Sequence, residues 1–387
     1  MKKIFDLEKR TINIIKNNYI IIGFIIISTL SLWLRIAELN FESNDYIHFL
    51  QPWFSHFKLN GGLSAISTYK GNYNAPYVTI IALLTYLPIN SLYSIKFISI
   101  IFDYVLALSS VCLVRQLVTK NKLEYSLLTY TVIMFLPQVF INSGLWAQCD
   151  SAYTSFVILA LLFLLKEKYI KSFIFLGIAF SLKLQALFIL PLFIVIYISK
   201  NNFSILNFLL IPIVDFIMCL PAIIFGMPLK KLFTIYLGQT KTYQHGLSQN
   251  IPNLYKIVNG PSRILLPVGL IITLVVCIII LGYVIYKNIK WNKEKIINLA
   301  LWFIVVVTYL LPGMHDRYIF VGEIIAVISL IVYKKNLPIT ITLIINSLIV
   351  YSIYLFKLKT INTSILSIVY LIVIIYYTKD MIKLLSK

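Results

Sequence analysis

ILLPVGLIITLVVCIIILGYVIY, residues 264–286, runs for 23 residues without a charged side chain. At about 1.5 Å per residue, a helix of that length reaches across the roughly 30 Å of hydrocarbon in a bilayer. Similar runs lie at Asn18 to Leu34 and at Ile339 to Phe356. The composition agrees: of 387 residues, 60% are hydrophobic and 12% charged, with a mean hydropathy of +0.89. That leaves too little polar surface for a water-soluble domain, so the bilayer must solvate most of these side chains. In lipid every backbone polar group needs an internal partner, and the strict alternation of a membrane barrel is absent. The sequence therefore predicts an all-α, polytopic bundle of transmembrane helices forming one domain over residues 1–387.

The net charge of +20 would suggest nucleic acid on a soluble protein. Here the Lys and Arg fall in short stretches between apolar runs, where the positive-inside rule explains them and a nucleic-acid partner is not expected. The clusters lie at Lys2 to Lys16, Arg115 to Lys122, Lys166 to Lys171, around Lys200, Lys287 to Lys295, Lys334 with Lys335, and Lys379 to Lys387. Each consecutive pair requires an out-and-back excursion. Spans are thus expected near 19–37, 95–114, 125–142, 151–165, 203–225, 263–286, 296–311, 319–333, 337–355 and 363–378. A pair of short helices meeting at Lys183 fills 172–199 and keeps the parity. That makes about twelve spans with both ends in the cytoplasm and a basic start that serves as a retained signal anchor. Tyr77 to Pro88 is short for a span and reads as a re-entrant or interfacial helix. Cys112, Cys149, Cys219 and Cys277 stand singly, which argues against a disulfide framework or a metal knuckle. No internal repeat supports an inverted-repeat transporter.

On this topology the polar motifs collect on the outer face. The first outer loop, 38–94, carries Glu42-Ser-Asn-Asp45-Tyr46, Phe49-Leu-Gln-Pro-Trp53 and Gly71-Asn-Tyr-Asn-Ala-Pro-Tyr77. The second carries Gly144-Leu-Trp-Ala-Gln148-Cys-Asp150-Ser151. Lys183 and Gln185 top the short helix pair. The outer loop 226–262 holds Tyr236 and the stretch His245 to Tyr255, and a later turn holds Met314-His315-Asp316-Arg317-Tyr318. Each has a plainer account: solvated loop for Asp45, interfacial belt for Trp53, Trp146 and the tyrosines, snorkelling for Lys183, self-pairing for His315-Asp316-Arg317. Asp103, Asp215 and Glu323 lie within spans, where a carboxylate needs a partner or a watery cavity.

The order of these pieces resembles the GT-C superfamily of membrane glycosyltransferases. It is most similar to bacterial relatives of the GPI-anchor second mannosyltransferase and of the dolichyl-phosphate-glucose glucosyltransferases. The matching stretches are Asn44-Asp45-Tyr46 with Phe49 to Trp53, Gly71 to Tyr77, Gln148 to Ser151, Gly177 to Leu187, Asn250 to Tyr255 and Met314 to Tyr318. The resemblance implies a polyprenyl-phosphate-sugar donor, a glycan or glycolipid acceptor, no further cofactor, and an acidic base in the first outer loop on the extracytoplasmic face. Many relatives have two adjacent acids where this chain has Asn44-Asp45, so no metal bridged by a carboxylate pair is expected. The later motif is often His-Glu-Arg-Tyr, and Asp316 shortens its acid by a methylene. Asp45 is the expected base, because a carboxylate beside the acceptor hydroxyl can take its proton. Arg317, with Lys183 and His315, suits the phosphate that gains charge as it leaves. Tyr46, Gln148, Asp150 and Gln185 suit sugar or acceptor hydroxyls, and Trp53 and Tyr77 suit stacking on a ring. Two other readings stand beside this one: a flippase of lipid-linked sugars with Asp103, Asp215 and Glu323 as a proton relay, and a polysaccharide polymerase or ligase.

Overall fold

The computed structural model describes residues 2–242, 246–358 and 361–387. It is nearly all helix. The chain opens with α1 (Lys2–Ala37), then the first loop folds into a π-helical turn (Tyr46–Leu50), α2 (Gln51–Leu59), a 3-10 segment (Gly62–Thr68) and α3 (Ala75–Leu84). α4 (Ser91–Leu117) and α5 (Lys122–Phe135) follow, then α6 (Pro137–Phe140) and a π-helical turn (Ile141–Leu145). Pro137 has no amide to continue the ladder of α5, and the axis bends by 50° there. α7 (Asp150–Leu165) and α8 (Tyr169–Leu182) come next. α8 stops at Lys183, whose backbone is extended, and the chain resumes in a 3-10 segment (Leu184–Ile189) leading into α9 (Leu190–Lys200). This is the break expected at Lys183.

The remainder is α10 (Leu210–Ile224), α11 (Leu229–Thr242), α12 (Ser262–Lys287), α13 (Lys293–Leu310), α14 (Phe320–Tyr333), α15 (Leu337–Phe356) and α16 (Thr363–Ser386). Helices thus occupy every interval read as a span. Among the described residues six helices are long and apolar enough to cross a bilayer: Glu8–Ala37, Ser91–Leu117, Ile205–Ile224, Ser262–Lys287, Leu337–Phe356 and Thr363–Ser386. The bent pair Lys122–Phe135 and Pro137–Leu145 makes a seventh if it is one span. The shorter apolar helices include α7, α8 and α14; α7 is buried by other helices over nearly its whole length and α14 from Phe320 to Ser329. α3, expected as a re-entrant or interfacial helix, is buried in protein from Ala75 to Thr79 and packs against α10. Its cap explains part of the Gly71 to Tyr77 motif. The Asn74 side chain accepts from the Ala75 amide at 2.9 Å, while its Nδ2 donates to Asp215 at 3.0 Å and to the Ser181 carbonyl at 3.0 Å.

The basic stretches meet at one end of the bundle. Lys293 donates to the Gln116 carbonyl at 2.7 Å, Lys200 pairs with Glu167 at 2.6 Å, Trp291 donates to Ser199 at 2.8 Å, and Lys335 pairs with Glu294 at 2.7 Å. The loop motifs gather at the other end.

Candidate active site

Five separate parts of the chain bring side chains to one point. The segment after α1 supplies Asp45; the turn between α6 and α7 supplies Trp146 and Gln148; α7 begins at Asp150; the break after α8 supplies Lys183; the turn between α13 and α14 supplies Arg317; and the last turn of α15 supplies Tyr354. Oδ2 of Asp45 accepts from Gln148 Nε2 at 2.7 Å, Trp146 Nε1 at 3.0 Å and Arg317 Nη1 at 3.1 Å. Among the described residues, Oδ1 accepts only from the Tyr354 hydroxyl, which leaves it a second lone pair. Asp45 itself is 7% exposed. Burial pushes its carboxyl upward, but Arg317, the Tyr354 hydroxyl, His315 and the Trp146 indole outweigh that and hold it below the usual carboxylate range.

A second carboxylate stands on the other side of Arg317. Asp150 Oδ1 takes Lys183 Nζ at 2.6 Å, and Oδ2 takes Asn142 Nδ2 at 2.8 Å and lies 3.5 Å from Arg317 Nε. As the first residue of α7, Asp150 also sits at a helix end that favours negative charge. Arg317 therefore bridges two acids while its guanidinium lies 5.0 Å from the Trp146 ring centre. Trp146 is fully buried and stacks on Tyr354 at 4.6 Å, so it is no belt residue. Neither is Lys183 a snorkelling side chain, since it is buried and ion-paired.

One backbone detail arranges this. Ala147 adopts the left-handed region, φ 61°, which a non-glycine residue enters at some cost. Trp146 and Gln148 on either side of it both reach the same Asp45 oxygen. The loop 226–262, expected on the outer face, also reaches the site. Ser248 and Gln249 pair in parallel with Met314 and His315, and Gly313 donates to the Leu247 carbonyl at 2.8 Å, which fixes the turn that carries Arg317. His245, in the same loop, lies outside the described residues.

Of the residues singled out in the sequence, Asp45, Gln148, Asp150, Lys183 and Arg317 are joined directly. His315 flanks them and pairs with Asp316, which is fully buried. Gln185 lines a small cavity of about 40 Å³ with Lys183, Arg317, Asn72 and Tyr318. The rest lie outside the charge cluster. The Tyr46 hydroxyl pairs with Ser91 at 2.7 Å. Tyr77 is buried against Tyr73 at 5.0 Å and is closed to ring stacking. Trp53 is half-buried beside Tyr73 and borders an open cavity of about 690 Å³ with His56, Asn60 and Lys70. Asp150 and Gln148, expected on sugar hydroxyls, are engaged by protein groups instead. Nothing in the sequence marked Tyr354, which reads as one more apolar residue of a span; its only signal is a place near the C-terminal end of that helix.

The chain matches no family model and no curated protein. The site must be read from its own chemistry. It holds an ionised carboxylate with one open lone pair, two buried cations beside it, and a cavity touching both cations. That cavity is far below the several hundred Å³ of a typical ligand site. The other intramembrane acids are engaged elsewhere. Asp103 pairs with Arg35 at 2.8 Å and accepts from Ser143 and Ser151, each at 2.5 Å. Glu323 accepts from Ser347.

Proposed function

We propose that this protein is a membrane glycosyltransferase of GT-C type, moving a hexose such as mannose or glucose from a polyprenyl-phosphate donor to a glycan or glycolipid. In this reading the chain crosses the membrane about twelve times, with both termini in the cytoplasm and the Asp45 site facing outward. The observation that carries it is the Asp45–Arg317–Asp150–Lys183 chain of charges, assembled from loops at the end of the bundle opposite the basic stretches. The acceptor hydroxyl binds the open lone pair of Asp45 Oδ1 and gives it its proton as the oxygen attacks the anomeric carbon. The bond from that carbon to the phosphate oxygen breaks on the opposite face, with inversion. The lipid phosphate leaves with the electron pair, and Arg317 and Lys183 stabilise the charge it gains. His315 and Gln185 border the same space, and Trp53 offers a ring to a sugar at the outer cavity.

The engagement of Asp103 and Asp215 by protein partners supports this reading over a proton-relay flippase. The deciding experiment uses purified protein with undecaprenyl-phosphate-mannose or -glucose and a panel of glycan acceptors. Transfer is expected with the wild type and should fall by at least about two orders of magnitude in Asp45→Asn, with donor binding kept. Asp45→Asn at the wild-type rate would remove Asp45 as the base. Movement of the labelled donor across proteoliposomes without any transfer would replace the enzyme by a flippase.

A further inference from the structure

The end of the molecule opposite Asp45 holds a further, partly open space. It is a cavity of about 310 Å³ between the first turn of α15, the last turns of α16 and Asn298 of α13. Tyr354 and Pro338 are sixteen residues apart on α15, which puts the two sites about 24 Å apart along that helix.

The floor is rigid and polar. Asn336 Nδ2 donates to Asn298 Oδ1 at 2.5 Å and to Ser329 Oγ at 2.8 Å, and the Tyr377 hydroxyl donates to the Asn298 carbonyl at 2.8 Å. Because Asn336 is held this way, its side chain does not cap α15. Around the rim stand Lys335, Lys383 and Lys387 with a single acid, Asp380. Lys335 is tied to Glu294, whereas the ammonium groups of Lys383 and Lys387 have no ion pair or hydrogen bond among the described residues. A polar space with two free ammonium groups on its rim suits a phosphate.

What lies next to the cavity selects the kind of phosphate. Both helices that bound it are candidate membrane crossings, and both carry apolar stripes that begin within a turn of it. On α15 the stripe continues from Pro338 through Ile341 and Ile345, 45% and 47% exposed. On α16 it continues from Tyr376 back to Ile372, which is 61% exposed. These spacings keep each stripe on one helix face. We infer that the cavity binds the headgroup of an anionic glycerophospholipid, with Lys383 and Lys387 on its phosphate and its acyl chains along the α15 and α16 stripes. A soluble phosphate would leave the stripes uncovered.

The test titrates the purified full-length protein in detergent with dioleoyl phosphatidylglycerol, dioleoyl phosphatidylcholine and inorganic phosphate. Retained lipid is read by native mass spectrometry and stabilisation by thermal unfolding. Phosphatidylglycerol is expected to be retained and to stabilise, well beyond the other two. The double variant Lys383→Gln with Lys387→Gln should weaken its retention at least about tenfold. The control Lys287→Gln with Lys290→Gln removes the same charge from the same end outside the cavity and should change retention less than about twofold. Equal loss in both doubles would reduce the effect to a diffuse basic field and overturn the site. Equal stabilisation of the wild type by phosphatidylcholine or by inorganic phosphate would overturn it as well, whatever the variants do.

Discussion

Asp45 has three donors crowded on one oxygen and one on the other, which makes it a well-held anion and a weak base until a substrate changes its surroundings. Because its folded pKa lies below the ordinary 3.8, the stability it contributes is complete above that value. It is lost only as pH falls through the lower folded value. The Tyr354 hydroxyl is one of the groups that hold it down, so Tyr354→Phe should raise it. The acid limb of the rate–pH profile is then expected to move upward; a limb that stays in place would show that ionisation of Asp45 does not govern the rate. Arg317→Lys keeps a charge but loses the fork that spans two carboxylates, and transfer should drop by about tenfold or more with protein level unchanged. An unimpaired Arg317→Lys enzyme would remove Arg317 from the phosphate site. At this scale the sequence was readable where a polar residue interrupts apolar context, as at Asp45, Gln148, Asp150, Lys183 and Arg317. It was silent where a side chain of the cluster looks like its neighbours, as Tyr354 does inside α15, or where burial depends on helices far away in the chain, as for Trp146.

Between elements, the firmest tie is the pair Arg35–Asp103, which joins α1 to α4 with both side chains fully buried. Arg35 also donates to Ser31 and, at 3.2 Å, to the Met134 carbonyl, so it holds α5 as well. Removing one partner leaves an uncompensated buried charge, at a cost of about 3–5 kcal/mol. Asp103→Asn is therefore expected to lower the thermal midpoint of the purified protein sharply, and Arg35→Met combined with Asp103→Leu should recover much of the loss. A wild-type midpoint in Asp103→Asn would show the pair to be dispensable. The need for a partner was legible, since a carboxylate in a span demands one. The identity of Arg35 was not, because an Arg one turn from a helix end reads as a headgroup anchor. The break at Lys183 was legible from the polar residues Ser181, Lys183 and Gln185 in an apolar run together with charge parity, and the helix does stop at Leu182 and resume at Leu184.

Over the whole molecule, the separation of charge is the feature that the sequence states most openly and the folded chain keeps. The number of crossings was less legible, because helices enclosed by others need neither the length nor the uniform apolarity of one that faces lipid, and α7 and α14 are of that kind. Single-cysteine labelling of a Cys-free variant measures the sidedness. Asn60 and Lys290 are both exposed and lie at opposite ends. A membrane-impermeant maleimide should label position 60 in intact cells and position 290 only after permeabilisation. Labelling of both from outside would invert or abolish the proposed orientation. The reach from Asp45 to Tyr354, 309 residues along the chain, has a further meaning for the ribosome. At about 5–20 residues per second, roughly 15–60 seconds separate the synthesis of the acid from that of its last hydrogen-bond donor. Throughout that interval the growing chain carries an incomplete polar cluster, and the ring of donors around Asp45 can close only after α15 has been made and packed in place.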